Sequence, residues 1–356
     1  MSRPVPVPID RVHGGDAPSD AIDFSASINP LGPPPSAIAA YHEAAARIAS
    51  YPPPRSAALE KRLARWMEVG EDKVLAGNGT TQLIYLMARV LEPARPFVAI
   101  PTFSEIANAL AGEGWAPEAI RLAPDDFRLE IGRVEDALAD HAGAIFFGRP
   151  NSPTGTMPTV DEVREIADRC ARRACWCVVD EAFIDLAEPP DSVVKLVNDN
   201  PRLVVLRSLT KSFAIAGLRL GCVIADDEVI AAMRQAIEPW SVNVVAESVG
   251  LACIEAPEDY LRRSRELIAR EREFLAVSLA AIGGIRVFPS AANFLMIAVQ
   301  GESEPGEFAA RMLERKIAVR DLATMPGCSA GHYRIAVRTR PDNERLLAAA
   351  RDWRTR

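Results

Sequence analysis

The chain has 356 residues, of which 49% are hydrophobic and 25% are charged, and its formal net charge at pH 7 is −7. This length is sufficient for one large domain and a smaller one, and the composition is that of an ordinary globular protein. The negative charge argues against a general nucleic-acid surface, because phosphate binding of that kind needs a basic face, so any anion site must be local.

We expect a cytoplasmic protein that makes no contact with a membrane. No apolar run approaches the roughly 20 residues of a membrane span, and the proline-rich first residues lack the long apolar segment of a signal peptide. The six cysteines stand mostly in apolar surroundings and are interpreted as reduced core residues. With four histidines in the chain and no paired-cysteine motif, no metal site is expected.

The N-terminal segment is interpreted as an extended start followed by one helix. It contains His13 beside two glycines and Ser27 in a stretch of turn residues, and each of these patterns alone predicts only a loop. An alanine-rich helix is predicted over residues 36–50, ended by the prolines at 52–54. Tyr51, between them, either belongs to the core or points its hydroxyl into a site.

A glycine-rich turn follows the first predicted strand, over residues 74–76. The turn contains Gly79, Thr80 and Thr81 and leads into an apolar helix over residues 83–91. Glycines permit a tight turn, and the free N–H groups and dipole at the start of a helix favour a bound anion by about 0.3–1 kcal/mol. The turn is therefore a candidate phosphate site, although a plain strand-to-helix connection has the same pattern.

Two further strands end beside residues with possible chemical roles. The strand over residues 97–100 is closed by a turn that contains Phe103, which is either a core aromatic or a ring that stacks on a flat heterocycle. The strand over residues 144–147 leads to a proline-rich loop that offers Asn151 as a hydrogen-bond donor.

The next strand, over residues 175–179, ends at Asp180 and is preceded by a helix that opens with a capping box of Thr159 and Glu162. A carboxylate at the end of an apolar strand is partly desolvated and needs a partner. That partner is either a backbone N–H group or a protonated pyridine nitrogen.

The strand over residues 203–206 is followed by Ser208, Thr210 and Lys211, and then by Arg219. Open α/β sheets bind ligands at such a strand end. Two hydroxyls and an arginine can hold a phosphate dianion, and a lysine beside them can form a Schiff base. A solvated surface lysine is the alternative for the short Ser-x-Thr-Lys motif alone.

The order of the elements predicts an α/β fold with a large and a small unit. Strands alternate with helices from about residue 74 to 224, which indicates a mainly parallel sheet. A long charged helix over residues 258–282 then leads to a second α/β unit. We divide the chain into an N-terminal segment (1–50) that joins the small domain and the active site, a large domain (51–260), and a small C-terminal domain (261–356).

The motifs occur together in one characteristic order. In that order they are Gly79 with Thr80 and Thr81, Phe103, Asn151, Asp180, Lys211 and Arg219. With the longer run Ser-Leu-Thr-Lys-x5-Gly-Leu-Arg-Leu-Gly, this order resembles the fold-type I enzymes that use pyridoxal 5′-phosphate, the aspartate aminotransferase superfamily. The resemblance covers the whole large domain and implies that fold and that cofactor.

The resemblance also implies a role for each matched residue. Lys211 would form a Schiff base with the cofactor, Asp180 would pair with the pyridine nitrogen, Asn151 would bind the ring oxygen and Phe103 would stack on the ring. The cofactor phosphate would be bound by Gly79, Thr80, Thr81, Ser208 and Arg219, with Thr210 beside them. Tyr51 resembles a tyrosine that related enzymes supply across a dimer interface, so we expect a homodimer.

Within this superfamily the chain resembles two subfamilies, the threonine-phosphate decarboxylases of cobalamin synthesis and the histidinol-phosphate aminotransferases. Phe183 favours the decarboxylases, because the aminotransferases usually have a tyrosine there. The decarboxylase pattern implies that His13, Arg320 and Arg334 bind a phosphorylated amino acid, L-threonine O-3-phosphate. Ser27 departs from that pattern, which has an asparagine there, and makes O-phosphoserine a possible substrate.

Two other functions are weighed against decarboxylation. The first is transamination of histidinol phosphate or a similar amine, which uses the same cofactor. The second is a fold-type I domain that serves only as a ligand-binding or regulatory module. The presence of Lys211, Asp180 and Asn151 and the absence of a DNA-binding extension argue against this second alternative.

Overall fold

The structure is a computed structural model in which Val7 and residues 11–354 are described. Most of the proline-rich start, for which an extended segment without a signal peptide was predicted, lies outside the described residues. No helix in the described part of the chain is long and apolar enough to cross a membrane.

The described residues form α-helices, β-strands and short 3-10 turns. The helices are α1 (Pro35–Ala45), α2 (Ala57–Met67), α3 (Gly79–Val90), α4 (Glu105–Gly112), α5 (Ile131–Ala139), α6 (Val160–Arg172), α7 (Leu209–Ser212), α8 (Asp227–Ala236), α9 (Val244–Cys253), α10 (Glu258–Ala280), α11 (Glu307–Glu314) and α12 (Arg340–Arg354). The strands are β1 (Ile22–Asp23), β2 (Val74–Gly77), β3 (Pro96–Ile100), β4 (Glu118–Arg121), β5 (Ala144–Gly148), β6 (Trp176–Asp180), β7 (Leu203–Ser208), β8 (Gly221–Ile224), β9 (Ile285–Val287), β10 (Phe294–Val299), β11 (Ile317–Ala318), β12 (Arg320–Asp321) and β13 (His332–Ala336).

Seven strands form the main sheet, in the order β2-β8-β7-β6-β5-β3-β4. The β3–β4, β3–β5, β5–β6 and β6–β7 pairs are parallel, and β8 runs antiparallel to both of its neighbours. The prediction of a mainly parallel α/β sheet is therefore confirmed. The carboxyl ends of β2, β3, β5, β6 and β7 all lie at the same edge of the sheet, and β8 begins there.

Both faces of this sheet are covered, because alternate residues of each strand point to opposite sides. In β3, Phe97 and Ala99 pack into one hydrophobic core, and Val98 and Ile100 pack into the other. A strand with two buried faces is apolar throughout, which is why these strands were evident in the sequence.

A second sheet is antiparallel and smaller, in the order β12-β13-β10-β9. Its own core contains Phe24 from the N-terminal segment. Strand β1 pairs in parallel with β11, so both ends of the chain contribute to this unit. Helix α10 spans both units, with Leu261 and Ile268 in the large core and Leu275 and Leu279 in the small one. The division at residues 260 and 261 remains a prediction; it falls in the first turn of α10.

Several boundaries and elements differ from the predictions. Helix α3 begins at Gly79, four residues earlier than predicted, and α1 ends at Ala45 because the next residues form tighter turns, such as Ser50 N–H to Arg47 O at 2.9 Å. Helix α4 was missed because its residues from Glu105 to Leu110 are all buried, which removes the amphipathic pattern. Strand β4 was missed because it is a short, polar edge strand.

Two local predictions are confirmed. Thr159 Oγ1 accepts a hydrogen bond from Glu162 N at 3.2 Å, and Glu162 Oε2 accepts one from Thr159 N at 2.7 Å, so the capping box forms. The cysteines are all unpaired, and all of them are buried except Cys328, which is partly exposed.

Candidate functional site

A cavity of about 610 Å³ lies where the two sheets meet, at the carboxyl ends of the parallel strands. The order of the large sheet reverses beside β3, because the chain runs from β3 to the edge strand β4 and then returns to β5 on the other side of β3. Open α/β sheets bind ligands in the crevice at such a point. Phe103 follows β3 and Pro150 follows β5, and both line the cavity.

Most of the residues proposed from the sequence lie on the wall of this one cavity. They are His13, Ser27, Thr80, Thr81, Phe103, Asp180, Ser208, Thr210, Lys211, Arg219, Arg320 and Arg334. These residues come from the N-terminal segment, from the large sheet and from the small sheet, so the fold assembles the site from distant parts of the chain.

An anion site is formed where α3 begins. Thr80 and Thr81 lie in its first turn, and Ser208 Oγ and Thr210 Oγ1 are hydrogen-bonded at 2.7 Å on the other side. Arg219 has a left-handed backbone, with φ at 56°, just before β8. Hydroxyls, a guanidinium and the N-terminus of a helix are suitable donors for a phosphate dianion.

Two glycines allow this close assembly. Gly79 has a φ of +73°, and a Cβ atom there would lie 2.8 Å from Arg219 Nη2. A Cβ atom on Gly221 would lie 2.8 Å from Thr80 N. Gly79 does not line the cavity itself, but its lack of a side chain leaves room for the Arg219 guanidinium. Larger residues at either position would displace the groups that form the anion site.

Lys211 stands on α7, just past the end of β7, as predicted for a strand-end lysine. Its Nζ lies 6.0 Å from the ring centroid of Phe183. Burial lowers the pKa of the ammonium from 10.5 to about 8, helped by Arg334 and Arg219 and opposed by Asp180. A larger share of the amine is therefore neutral and nucleophilic near neutral pH than for an exposed lysine.

Asp180 is the last residue of β6, opposite Gly148 of β5. Its Oδ1 accepts a hydrogen bond from Ala182 N at 3.0 Å. Burial raises the pKa of this carboxyl from 3.8 to about 6, and the neighbouring Glu181 raises it further, whereas the Ala182 N–H and Lys211 lower it. A carboxylate in such surroundings is stabilised by a cationic ligand group, such as a protonated ring nitrogen.

A buried ion network supports the loops after β5 and β6. Arg149 and Glu181 are both fully buried, and Arg149 Nη1 donates to Glu181 Oε1 at 2.9 Å. Arg149 also donates to Asp191 Oδ1 at 2.8 Å, and its backbone N–H donates to Asp180 O at 2.8 Å. Because a buried charge is stable only with its partners, this network fixes the backbone on which Asp180 stands.

Two arginines face each other across the small sheet, Arg320 on β12 and Arg334 on β13. Arg334 donates to Ser152 Oγ at 2.8 Å and to Ser25 O at 2.6 Å, and Arg320 Nη2 donates to Val12 O at 2.5 Å. Burial lowers the pKa of Arg334 to about 10, and Arg320 lowers it further. Directly opposed like charges are unfavourable, so this pair favours an anionic ligand between or beside them.

Two buried hydroxyls in the cavity wall have no hydrogen-bond partner among the described residues. They are Ser27 Oγ and Ser104 Oγ, and their residues are 2% and 7% exposed. An unsatisfied buried hydroxyl costs about 1–3 kcal/mol. Each is therefore a position where a ligand atom would complete the hydrogen bonding.

The sequence analysis missed several residues of the cavity wall. They are Arg11, Thr102, Ser104, Glu105 and Ser152. Thr102, Ser104 and Glu105 follow β3 next to Phe103, and Ser152 follows Asn151. Their position at strand ends was a usable signal, because the same argument had already selected Phe103 and Asn151.

Besides Gly79, two predicted residues do not line the cavity. Asn151 is buried, with its Nδ2 donating to Pro101 O at 2.8 Å and its Oδ1 accepting from Thr102 Oγ1 at 2.7 Å, so its amide is satisfied within the protein. Tyr51 is 83% exposed, with its ring centroid 5.1 Å from that of Trp240. The roles assigned to both residues remain predictions.

Comparison with known proteins identifies relatives along the whole chain. The family model "Aminotransferase class I and II" matches residues 19–350. A threonine-phosphate decarboxylase of Salmonella typhimurium is 35% identical over 339 residues, which cover 95% of this chain and 92% of that protein. A histidinol-phosphate aminotransferase of Anaeromyxobacter is 32% identical, over 96% of this chain and 93% of that protein.

Two further similarities bear on pathway and fold. The adenosylcobalamin biosynthesis bifunctional protein CobDQ of Leptospira interrogans is 30% identical over 94% of this chain and 39% of its own length. The crystal structure of the histidinol-phosphate aminotransferase from Clostridium acetobutylicum superposes with a TM-score of 0.86. It is 24% identical and covers 93% of this chain and 98% of that chain, and it supports the fold alone.

Proposed function

The chain belongs to the class I and II aminotransferase family, and on that premise we propose that it is a pyridoxal phosphate-dependent decarboxylase. Its substrate is L-threonine O-3-phosphate, and its products are carbon dioxide and (R)-1-amino-2-propanol O-2-phosphate, for cobalamin biosynthesis. The observation that carries this proposal is the pair of opposed arginines, Arg320 and Arg334, in the same cavity as Lys211. The decarboxylase relative at 35% identity supports it.

The residues of the cavity fit pyridoxal phosphate. The hydroxyls of Thr80, Thr81 and Ser208 and the guanidinium of Arg219 would hold its phosphate, in the cradle that a Cβ on Gly79 or Gly221 would fill. Asp180 would pair with the ring nitrogen, Phe103 would stack on the ring, and Lys211 would attach it covalently. Thr210 Oγ1, bonded to Ser208, would complete the polar wall.

When bound, the cofactor supplies a sink for the electron pair that is released at the substrate Cα. Asp180, ionised at neutral pH, would hold a proton on the ring nitrogen and so maintain that sink. Lys211 Nζ, once displaced by the substrate amine, is the group placed to carry a proton at Cα. Decarboxylation releases the carboxylate as carbon dioxide, and one proton takes its place on Cα.

The substrate has two anionic ends, and the cavity wall offers two guanidiniums to hold them. Arg320 would bind the phosphate, and Arg334 would bind the carboxylate or the phosphate. His13 lines the same part of the cavity and would contact the substrate. Ser27 offers only a short hydroxyl there, which leaves O-phosphoserine as a variant substrate.

Transamination of a histidinol-phosphate type substrate is the second candidate, supported by the aminotransferase relative at 32% identity. Phe183 argues against it. The ring lies beside Lys211 and packs edge-on against Phe294 at 5.0 Å, and it has no hydroxyl to offer the cofactor. The aminotransferases that the sequence resembles usually have a tyrosine at this position.

We further propose a cytoplasmic homodimer. Large apolar residues are exposed between residues 31 and 51, namely Leu31, Ile38, Tyr41, Ile48 and Tyr51. Apolar surface of this kind is typical of a protein interface. In a dimer Tyr51 would be buried between subunits, where its hydroxyl could reach the partner's cofactor.

The proposal is tested by incubating the cofactor-loaded protein with L-threonine O-3-phosphate and no keto acid. We expect multiple turnovers. They are measured by the release of carbon dioxide and by the formation of aminopropanol phosphate. The Lys211→Ala variant is the inactive control, and its turnover should fall by about 10²–10⁴-fold or more. O-phosphoserine is assayed in parallel.

A different result would decide between the candidates. Transfer of the amino group from histidinol phosphate to 2-oxoglutarate, with glutamate formed and no carbon dioxide released from either phosphoamino acid, would replace decarboxylation by transamination. Turnover of O-phosphoserine alone would keep the reaction and change the substrate.

A further inference from the structure

Glu105 lies on the cavity wall, and none of the roles described so far uses it. Its Oε1 is 2.9 Å from Nε2 of His13, a residue 92 positions earlier in the chain. We propose that Glu105 is a positioning residue that orients the imidazole of His13 toward the phosphate of the substrate. This inference rests on the proposed function, in which His13 contacts the substrate.

Glu105 is itself held firmly. Its Oε2 accepts a hydrogen bond from Tyr85 Oη at 2.8 Å, and its Oε1 accepts one from Asn108 Nδ2 at 2.8 Å. Burial alone would raise its pKa, but the hydrogen bonds from Asn108, Tyr85 and His13 together lower it, so the side chain is ionised at neutral pH. Its place in the first turn of α4 adds a favourable interaction with the helix dipole.

His13 needs such an anchor because it stands on a segment without regular structure. We call residues 11–15 the strap. Contacts on both sides of His13 fix the backbone of the strap. Val12 O accepts a hydrogen bond from Arg320, and Gly15 N donates one to Ser25 Oγ at 2.8 Å. Gly14 packs so closely against Ser25 that a Cβ atom on Gly14 would lie 2.2 Å from the carbonyl oxygen of Ser25. The side chain of His13 is 44% exposed, and Glu105 supplies its hydrogen bond.

The contact selects which ring nitrogen is available. With Nε2 engaged by Glu105, Nδ1 is left for a ligand, since a histidine presents one nitrogen when the other is held by a carboxylate. The strap also contacts Arg320, whose Nη2 donates to Val12 O. Val12 directly precedes His13 in the chain, so His13 lies next to the residue that contacts the guanidinium proposed to bind the substrate phosphate. Phosphate oxygens accept hydrogen bonds, so Nδ1 can bind them together with Arg320 when the ring carries a hydrogen on both nitrogens.

The test measures binding and turnover separately. Cofactor-loaded protein is titrated with inorganic phosphate by calorimetry, and KM and kcat are measured with L-threonine O-3-phosphate. We expect Glu105→Ala to weaken phosphate binding and raise KM by about tenfold, with kcat within about twofold of the wild type. Glu105→Gln, which keeps the shape of the side chain, should have a smaller effect in the same direction.

The combined variant His13→Ala/Glu105→Ala should equal His13→Ala alone, because Glu105 acts through the ring. Glu113→Gln is the matched control. It alters a glutamate at the other end of α4 that pairs with Arg89 at 3.0 Å on the surface, and it should change neither phosphate binding nor KM.

Additive effects in the double variant, or a Glu105→Gln variant identical to the wild type, would overturn the role of Glu105. A fall in kcat and in melting temperature with unchanged KM would also overturn it, since that pattern indicates a merely structural role. If the wild type binds phosphate but does not turn over L-threonine O-3-phosphate, the proposed function fails instead, and the phosphate titrations still report on Glu105.

Discussion

Asp180 and Lys211 carry opposite charges at the ends of neighbouring strands. Burial favours the neutral form of each, so it raises the pKa of Asp180 to about 6 and lowers the pKa of Lys211 to about 8. At neutral pH both remain mostly charged, but each charge is less stable here than it would be in water. Sites that bind a charged cofactor commonly contain groups with such shifts. The free protein therefore carries an electrostatic cost that the ligand offsets.

Replacing Asp180 by Asn should stabilise the cofactor-free protein. The carboxyl has a folded-state pKa of about 6, above its ordinary 3.8, so the folded protein binds more protons than the unfolded chain between about pH 4 and 6. Stability falls as pH rises through that window, and asparagine avoids the loss. We expect a gain of roughly 1–3 kcal/mol in unfolding free energy at pH 7 and little near pH 4, measured by urea unfolding.

The same variant should lose turnover, since an amide cannot hold the proton on the cofactor ring. The matched control is Asp136→Asn, an exposed aspartate on α5, which should change neither quantity. A destabilised Asp180→Asn protein at pH 7 would contradict the assignment of Asp180 as an electrostatically unfavourable group.

Replacing Ser27 by Ala separates ligand binding from folding. The hydroxyl has no hydrogen-bond partner in the part of the chain that the structure describes, so its removal should leave the melting temperature unchanged or raise it. If the hydroxyl bonds to the substrate, KM should rise by about 3–10-fold. An unchanged KM would show that Ser27 does not contact the substrate. Ser27→Asn, assayed beside it, tests whether this position sets the preference between threonine phosphate and O-phosphoserine.

The sequence predicted the position of a site residue correctly where a recognised motif stood at the end of a predicted strand. Asp180 ends one apolar strand and Lys211 follows another, and both strands were evident in the sequence because both of their faces are buried. The sequence therefore predicted that the two residues lie at the same edge of the sheet. Glu105 and Ser104 were not identified, because the helix that carries Glu105 is buried and has no amphipathic pattern. The partner of His13 could not be inferred either, since nothing local in a sequence relates residues 92 positions apart.

At the scale of elements, the start of α3 is the part of the site most sensitive to backbone change. Replacing Gly79 by Ala should weaken pyridoxal phosphate binding by about tenfold or more, because the new Cβ would displace Arg219 and the residue has a φ of +73°. Affinity is measured by titrating the cofactor-free protein and following its absorbance.

The control for this variant is Gly132→Ala on α5. Gly132 has open space around the position of a Cβ and lies within a helix, so alanine should leave cofactor affinity unchanged and stabilise the protein by up to about 1 kcal/mol. Equal cofactor affinity in the Gly79→Ala variant would show that Arg219 does not depend on this close contact.

The elements differed in how well the sequence predicted them. The capping box of α6 was evident because two residues at a fixed spacing satisfy each other's backbone. The start of α3 was placed four residues late, because glycine and threonine are weak helix formers and anion-binding turns use them. β4 has only four residues at the edge of the sheet, too few to show an alternating pattern.

For the whole molecule, the exposed apolar residues of the N-terminal segment lead to a prediction about assembly. Ile48 is 73% exposed, and replacing it together with Tyr41 by Asp should convert a dimer into a monomer, because a charge cannot be buried unpaired in an interface. Sedimentation velocity measures the change. Turnover should fall as well if Tyr51 serves the partner's site.

Val277 provides the matched control for that experiment. It is 66% exposed on α10 and lies outside residues 31–51, and Val277→Asp should leave the oligomeric state unchanged. A wild-type protein that sediments as a monomer would rule out the proposed homodimer.

The pairing of β1 with β11 has a consequence for synthesis. Residues 22–24 leave the ribosome early, but their partners at Ile317 and Ala318 are made roughly 300 residues later, a delay of about 15–60 seconds at 5–20 residues per second. The strands of the large sheet, between residues 74 and 224, are complete long before that. The nascent chain can therefore fold its large sheet first, whereas the substrate pocket closes only after the last part of the chain emerges.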